Sequence, residues 1–302
     1  MSKTRWSVLA ALAAIYLIWG STYLAIRWAV ETIPPFLMAG TRFFIAGALL
    51  YIWMRLRGTP KPKLSHWVGA TIVGGCLLLG GNGGVVWVEK GGFPSGLTAL
   101  MIATVPLWMA LLQWLRGVRM GGGVAVGLLL GFAGIVLLIG PGELTIGSRV
   151  DPVGATVLIG ASLSWAVGSL YSRRARLPES ALLATAMEML AGGVLLMLTG
   201  LAVGEQRAIR LEAISAHSLL SYLYLILFGS LVGFTAYIWL LRVTTPVLVS
   251  TYAYVNPVVA VLLGAMLAGE ELTPRTLLAA VVIIAGVALI TILGASPKRK
   301  EA

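Results

Sequence analysis

The second half of the sequence repeats features of the first half 152 residues later. Trp87 and Pro94 in the first half correspond to Trp239 and Pro246 in the second. Self-similarity over such a distance indicates that one structural unit occurs twice. The sequence therefore predicts two copies of a single unit, residues 1–145 and residues 146–302.

The composition is that of a membrane protein. Apolar residues make up 59% of the chain and charged residues 11%, whereas soluble domains have about 45–50% and about 25%. The single cysteine excludes a disulfide framework, and two histidines leave little for a metal cluster. We predict no cofactor, no metal and no catalytic residue. The net charge of +11 comes from basic residues dispersed between apolar runs, so we expect no nucleic-acid partner.

Ten apolar runs are long enough to cross a bilayer, because about 20 residues at 1.5 Å each span roughly 30 Å of hydrocarbon. The first extends from Trp6 to Val30 and is longer than the apolar core of a signal peptide, about 7–15 residues. The others cover 35–55, 66–88, 94–115, 121–140, 152–172, 178–204, 217–241, 246–268 and 274–294. The predicted fold is an all-α membrane protein with ten transmembrane helices.

The connections between these runs carry an uneven distribution of lysine and arginine. Alternate connections place fifteen of them on one side and six on the other. Since basic residues accumulate on the cytoplasmic side, we expect both termini in the cytoplasm. Five spans is an odd number, so the second unit must be inverted relative to the first. Inverted repeats are common in secondary transporters, whose substrate site lies near the midplane between the repeats.

Four tryptophans occupy comparable positions in the two units. Trp19 and Trp165 lie within spans beside serine and threonine, which favours walls of a solute site over packing. Trp87 and Trp239 lie near span ends, where either a gate or an aromatic side chain facing the lipid interface is expected. Both interpretations are open for that second pair.

Two prolines fall near the middle of spans four and nine. Pro106 lies beside Thr104, and Pro257 lies beside Asn256 with Tyr252 one turn earlier. A proline inside a helix frees the carbonyl four residues before it, and in lipid that carbonyl needs a partner or a watery cavity. The pairing with polar residues favours cavity lining over a simple kink. The carbonyls expected to be free are those of Ile102 and Ala253.

Glycines cluster in spans three and five. The run from Gly80 to Gly84 lacks the residues of a phosphate-binding loop, so close helix packing is the better interpretation. Asn82 inside this run needs a hydrogen-bond partner at that depth and is a candidate for substrate binding. The series Gly123, Gly127 and Gly131 predicts a packing ridge or a dimer contact.

Two charged residues, Arg42 and Glu188, lie clearly inside predicted spans. Their depths are similar, and an unpaired charge in the membrane is costly. Either the two side chains pair or Glu188 is protonated, and the sequence leaves both options open. Glu270 and Glu271 follow span nine and are expected to be solvated helix-end charges. With few buried acids, we expect weak or absent proton coupling, and Glu188 leaves coupling open as the alternative.

These motifs resemble the EamA-type exporters of the drug/metabolite transporter superfamily. The resemblance covers residues 7–293 and rests on Trp19-Gly20-Ser21-Thr22-Tyr23, Arg42, Pro94-Ser95-Gly96, Pro106-Leu107-Trp108, Asn256-Pro257 and Leu267-Ala268-Gly269-Glu270. It implies ten helices in two five-helix repeats and a central cavity formed by the first, third, fourth, sixth, eighth and ninth helices. By that resemblance, the substrate-binding candidates are Trp19, Tyr23, Asn82, Thr104, Trp165, Tyr237, Tyr252 and Asn256. The gating or structural candidates are Trp87, Pro106, Trp239, Pro257, Arg42 and Glu188.

The function expected from this resemblance is export of small metabolites across a bacterial inner membrane. Amino acids, with aromatic or hydrophobic ones favoured, are the leading substrate class, and a multidrug or other metabolite exporter of the same fold is the alternative. An intramembrane enzyme would need convergent catalytic groups, and a channel would need a ring of like groups. Neither pattern is visible. The expected partners are a small-molecule substrate and the lipid bilayer, with a monomer or homodimer as the assembly.

Overall fold

The structure is a computed structural model that describes residues 3–117, 121–139, 151–243 and 252–294. Within these ranges the regular elements are helices, and no strand occurs in them. The helices are α1 (Lys3–Thr32), α2 (Pro35–Leu56), α3 (Leu64–Lys90), α4 (Ser95–Leu115), α5 (Gly122–Ile139), α6 (Pro152–Ser172), α7 (Ala181–Ala202), α8 (Ala216–Tyr224, then Leu225–Val232 and Gly233–Val243), α9 (Tyr252–Ala268) and α10 (Pro274–Gly294).

Seven of the described helices, α1 to α4 and α6 to α8, are long and apolar enough to cross a membrane. The other three contain shorter apolar stretches, Gly122–Leu137, Val255–Ala268 and Pro274–Ile290. This pattern confirms the all-α membrane fold predicted from the sequence. Pro246 and the boundary between residues 145 and 146 lie outside the described residues, so the division into two units at that point stays a prediction.

Helices α2 and α7, which the repeat makes equivalent, pack closely and antiparallel. A Cβ added to Gly40 would lie 2.9 Å from the carbonyl oxygen of Gly193, and one on Gly47 would lie 3.0 Å from that of Ala186. Rising residue numbers on one helix therefore meet falling numbers on the other. Only glycine permits this approach, because any side chain would meet backbone atoms.

Helices α5 and α10 form a second antiparallel pair. A Cβ on Gly123 would meet the side chain of Leu293, and one on Gly127 would lie 2.8 Å from the carbonyl oxygen of Gly286. The glycine ridge predicted in the fifth span is thus confirmed as a packing surface, and its partner is α10 of the same chain. In each of these two pairs the repeat relates one helix to the other, and the two helices run in opposite directions. An inverted repeat requires this arrangement.

Helices α3 and α8 each contain a π-helical segment at an equivalent position. The segments are Gly75–Asn82 and Leu225–Val232, and they begin 150 residues apart. A π segment widens the helix and changes its hydrogen-bond pattern, and such segments are frequent at functional sites. The polar residue Asn82 ends the first of them.

Helix α4 is broken rather than kinked. Its two segments are Ser95–Ile102 and Val105–Leu115, with Pro106 in the first turn of the second, where a missing N–H is tolerated. The carbonyl that gains side-chain donors is that of Met101, which accepts bonds from Thr104 Oγ1 at 2.5 Å and Ser162 Oγ at 3.0 Å. The expectation that the carbonyl of Ile102 is free stays a prediction. Pro257, in contrast, lies inside the continuous helix α9.

Candidate solute site and the charged network at one end of the bundle

Trp19 of α1 lies at the centre of an aromatic cluster formed with α8 and α9. Its ring centroid lies 5.3 Å from that of Phe234 and 5.2 Å from those of Tyr237 and Tyr252. The two tyrosine rings also meet edge to face at 5.9 Å, a favourable geometry for aromatic pairs. Trp19, Tyr237 and Tyr252, predicted as cavity residues, are therefore brought together. Phe234 was missed, although it lies one helical turn before Tyr237.

The π segment of α8 connects this cluster to α2. Trp19 Nε1 donates a hydrogen bond to the carbonyl oxygen of Gly229 at 3.1 Å. The next residue, Ser230, is fully buried, and its Oγ accepts a bond from Arg42 Nε at 3.2 Å. One segment thus receives a donor from α1 and another from α2. A shape change in this segment would reach both helices.

Arg42 and Glu188 do not pair in this structure. Arg42 Nε instead donates to Ser230, and the ion pair seen within 4.0 Å at the end of α1 joins Arg27 and Glu270. The reason is the register of α2 against α7: a Cβ on Gly47 would lie 2.9 Å from the backbone nitrogen of residue 190. Glu188 is therefore level with the turn that follows Arg42 and not with Arg42 itself. Arg42 Nη1 is buried without a hydrogen-bond partner on the protein.

Trp165 makes the corresponding contact in the other half of the molecule. Its ring lies against Gly81 in the π segment of α3, where an added Cβ would be 2.7 Å from Trp165 Cε3. The preceding residue, Ser164, donates from Oγ to the carbonyl oxygen of Cys76 at 2.8 Å. Asn82 follows Gly81 and is half-buried. Each π segment is thus contacted by a tryptophan and hydrogen-bonded by a side chain of the opposite half.

Three further candidates lie close to these elements. Asn256 is buried and its Oδ1 has no hydrogen-bond partner on the protein. Its backbone carbonyl oxygen would lie 3.1 Å from a Cβ on Gly20, so α9 packs directly against α1. Tyr23 lies near Tyr252. The Thr104 hydroxyl donates within its own helix, so its proton is already engaged.

Trp87 and Trp239 are more exposed than the other two tryptophans of the repeat. Their exposed fractions are 43% and 36%, which fits the lipid-facing interpretation better than a gate. Trp87 also lines an open groove of about 470 Å³ with Lys90, Asp151 and Glu205. This groove lies where α3 and α7 end and is separate from the aromatic cluster.

Comparison with known proteins decides what this architecture belongs to. The EamA-like transporter family matches residues 4–140 and, a second time, residues 152–292. The chain belongs to this family. The resemblance inferred from the motifs is thereby confirmed, and the assignment to a transporter family points away from catalysis.

Individual EamA-family relatives agree along almost the whole chain. The uncharacterized inner membrane transporter YedA of Escherichia coli K12 is 44% identical over 93% of this chain and 90% of its own length. The uncharacterized transporter YvbV of Bacillus subtilis is 25% identical over 96% and 92%. A solved structure described as "Crystal structure of protein" has the same fold, with a TM-score of 0.64, 23% identity and coverage of 96% and 99%. The chain is therefore a multi-pass inner-membrane transporter.

Glu270 in this EamA transporter is buried in a polar network and is not a solvated helix-end charge. Its side chain is 7% exposed and forms an ion pair with Arg27 of α1. It also accepts bonds from the backbone N–H and hydroxyl of Ser95, both at 2.7 Å, and from the N–H of Gly96 at 3.0 Å. The carboxylate thus caps α4 and links it to α1 and α9. We call this end of the bundle the Glu270 end.

Proposed function

We propose that this transporter exports a small amphipathic solute, foremost an amino acid with an aromatic or hydrophobic side chain. The observation that supports the proposal is the cluster of Trp19, Phe234, Tyr237 and Tyr252, which joins α1 of the first half to α8 and α9 of the second. Aromatic rings offer apolar faces to a side chain and attract a cationic ammonium group. Unpartnered Asn256 Oδ1 is an acceptor for such a group.

The mechanism we propose is alternating access, with the solute between the two halves. The break in α4 and the π segments in α3 and α8 interrupt regular helix hydrogen bonding, and such points concentrate bending. We place the Glu270 end outside, because the basic connections predict cytoplasmic termini. With that orientation, the Arg27–Glu270 pair closes the external side while the solute site is loaded from the cytoplasm.

Counterflow in proteoliposomes tests this function. Liposomes preloaded with unlabelled solute are offered radiolabelled phenylalanine, leucine, glutamate or a cationic dye. We expect exchange of phenylalanine and leucine above that of glutamate. Trp19→Ala should weaken apparent affinity roughly tenfold, equivalent to a lost contact energy of about 1.4 kcal/mol.

Trp114→Ala is the matched control, since Trp114 is 51% exposed and is not one of the rings that pair with Trp19. Exchange of the dye without any amino acid would favour a multidrug exporter of the same fold. No exchange of any solute would contradict the proposal.

A further inference from the structure

Glu89, the penultimate residue of α3, has a carboxyl group that the solute site does not use. The residue is 2% exposed, and neither carboxyl oxygen has a hydrogen-bond partner on the protein. The backbone of Arg27 approaches it without reaching hydrogen-bonding geometry. A buried carboxylate without donors is strongly disfavoured as an anion. Glu89 therefore requires a proton or a counter-ion.

Its available counter-ion is already engaged. Glu89 lies near Arg27 and Glu270, so that an ionised Glu89 would attract the first and repel the second, and the Arg27 guanidinium pairs with Glu270. Glu270 also receives three hydrogen bonds from Ser95 and Gly96, so its ionised form is well stabilised. Two carboxyl groups thus compete for one guanidinium, and the donors favour Glu270 as the anion. Glu89 is left as the group that holds a proton.

The other charged groups around Glu89 are directed elsewhere. Tyr23 on α1 lies near it and supplies no positive charge. Lys90 Nζ donates to the carbonyl oxygen of Val30 at 2.7 Å. Asp151 accepts bonds from backbone N–H groups at the start of α6, and Glu205 does so at the start of α2. Among the described residues, Arg27 is therefore the cation that can reach Glu89 after a local rearrangement.

We propose that Glu89 is a proton-binding latch for the gate at the Glu270 end. With a proton on Glu89, Arg27 stays with Glu270 and this end is closed. Loss of that proton to water creates a second anion, which draws Arg27 from Glu270 and frees the start of α4. Acid therefore favours the closed gate and alkali the open one. The latch rests on the proposed alternating access and adds control by the proton concentration on this side.

The link to the solute site runs along one face of α1. Trp19, Tyr23 and Arg27 are spaced by four residues, so they lie above one another on successive turns. Tyr23 lies near both Glu89 and Tyr252. The latch and the aromatic cluster are thus connected by a single helical stripe.

Cysteine accessibility tests the latch without any solute. A negative result would therefore contradict the latch and leave the proposed export function untested by this assay. Cys76 is the single cysteine of the chain and is replaced by serine. Val85→Cys then reports opening, because Val85 lies one turn before Glu89 on the same helix face and is 5% exposed. Val203→Cys, at a position 63% exposed, corrects for the increase of thiol reactivity with pH. Both are labelled with a hydrophilic maleimide in lipid nanodiscs over a pH series.

We expect the labelling ratio of the two sites to rise with pH, by at most about tenfold per unit, the limit for one coupled proton. Glu89→Gln should keep the ratio low and independent of pH. Glu270→Gln should raise it at every pH, because Arg27 is then released. Opposite effects of two similar substitutions would not arise from loss of structure alone.

Glu188→Gln is the matched control, since it removes a different acid that lies within the bundle. It should retain the pH dependence of the wild type. If Glu89→Gln retains that dependence, or Glu188→Gln abolishes it, the latch is wrong. Infrared spectroscopy of protein with Val85 intact gives a second readout: the band of protonated carboxylic acid at neutral pH should lose intensity in Glu89→Gln. An unchanged band would also overturn the proposal.

Discussion

The indole N–H of Trp19 donates to the carbonyl oxygen of Gly229 at 3.1 Å, which fastens α1 to the π segment of α8. The two residues are 210 positions apart in the chain. The same carbonyl lies next to Ser230, which holds Arg42. This bond therefore places the central ring of the aromatic cluster against an irregular point of α8.

Trp19→Phe tests this bond while it keeps an aromatic ring in the cluster. We expect the free energy of unfolding to fall by about 1 kcal/mol, because a partly buried carbonyl loses its donor. Thermal unfolding in detergent, followed by a thiol-reactive dye at Cys76, measures the loss. Trp114→Phe should be neutral, and equal midpoints for the two variants would contradict the role of the bond.

Gly193→Ala tests the close packing of α2 and α7. The new Cβ would lie 2.8 Å from the backbone nitrogen of Phe44, so the helices must separate, at a cost of about 1–3 kcal/mol. Gly160→Ala is the control, because nothing lies within 4 Å of its Cβ position and alanine favours a helix. We expect a lower unfolding midpoint for the first variant and an unchanged or higher one for the second.

Glu205→Ala tests the cap of α2. Glu205 accepts bonds from the backbone N–H groups of Phe36 at 3.1 Å and Leu37 at 2.9 Å. The N-cap residue of α2 supplies no side-chain acceptor for these groups. Loss of such a cap costs about 0.5–2 kcal/mol. The exposed Glu212 provides the matched control variant, Glu212→Ala. A thermal shift assay that finds the two variants equally stable would rule out a capping contribution.

Arg42→Gln and Glu188→Gln, alone and combined, test whether these charges are coupled. Since Arg42 bonds to Ser230 and no ion pair joins it to Glu188, the two effects on unfolding free energy should add within about 0.5 kcal/mol. Each single variant is measured by the same thermal assay. A coupling energy well above that limit would restore the pairing considered from the sequence.

The aromatic cluster was predictable in large part, whereas the Glu270 network was not. Trp19 and Tyr252 stand out in the sequence because they lie inside apolar runs beside polar residues. Glu270 follows a helix end, where a solvated charge is the usual case, and its partner Ser95 lies 175 residues away. Nothing in local hydropathy shows that these two chain segments meet.

The contacts of the π segments and the hydrogen-bond partner of Arg42 likewise depend on tertiary packing. Gly81 and Gly229 are ordinary small residues in the sequence, and only the tryptophans of the opposite half give them a role. The similar depths of Arg42 and Glu188 suggested a pair, but the register of α2 against α7 separates them. The register of two packed helices depends on tertiary contacts, which hydropathy along the chain does not show.

The stripe of Trp19, Tyr23 and Arg27 has a mechanical consequence. All three side chains belong to the uninterrupted helix Lys3–Thr32. A ligand that displaces the Trp19 indole together with the α1 backbone therefore also moves the Arg27 guanidinium. Solute binding at the aromatic cluster and separation of Arg27 from Glu270 would then be coupled through the rigid-body motion of α1. Binding of the solute would itself promote opening of the Glu270 end.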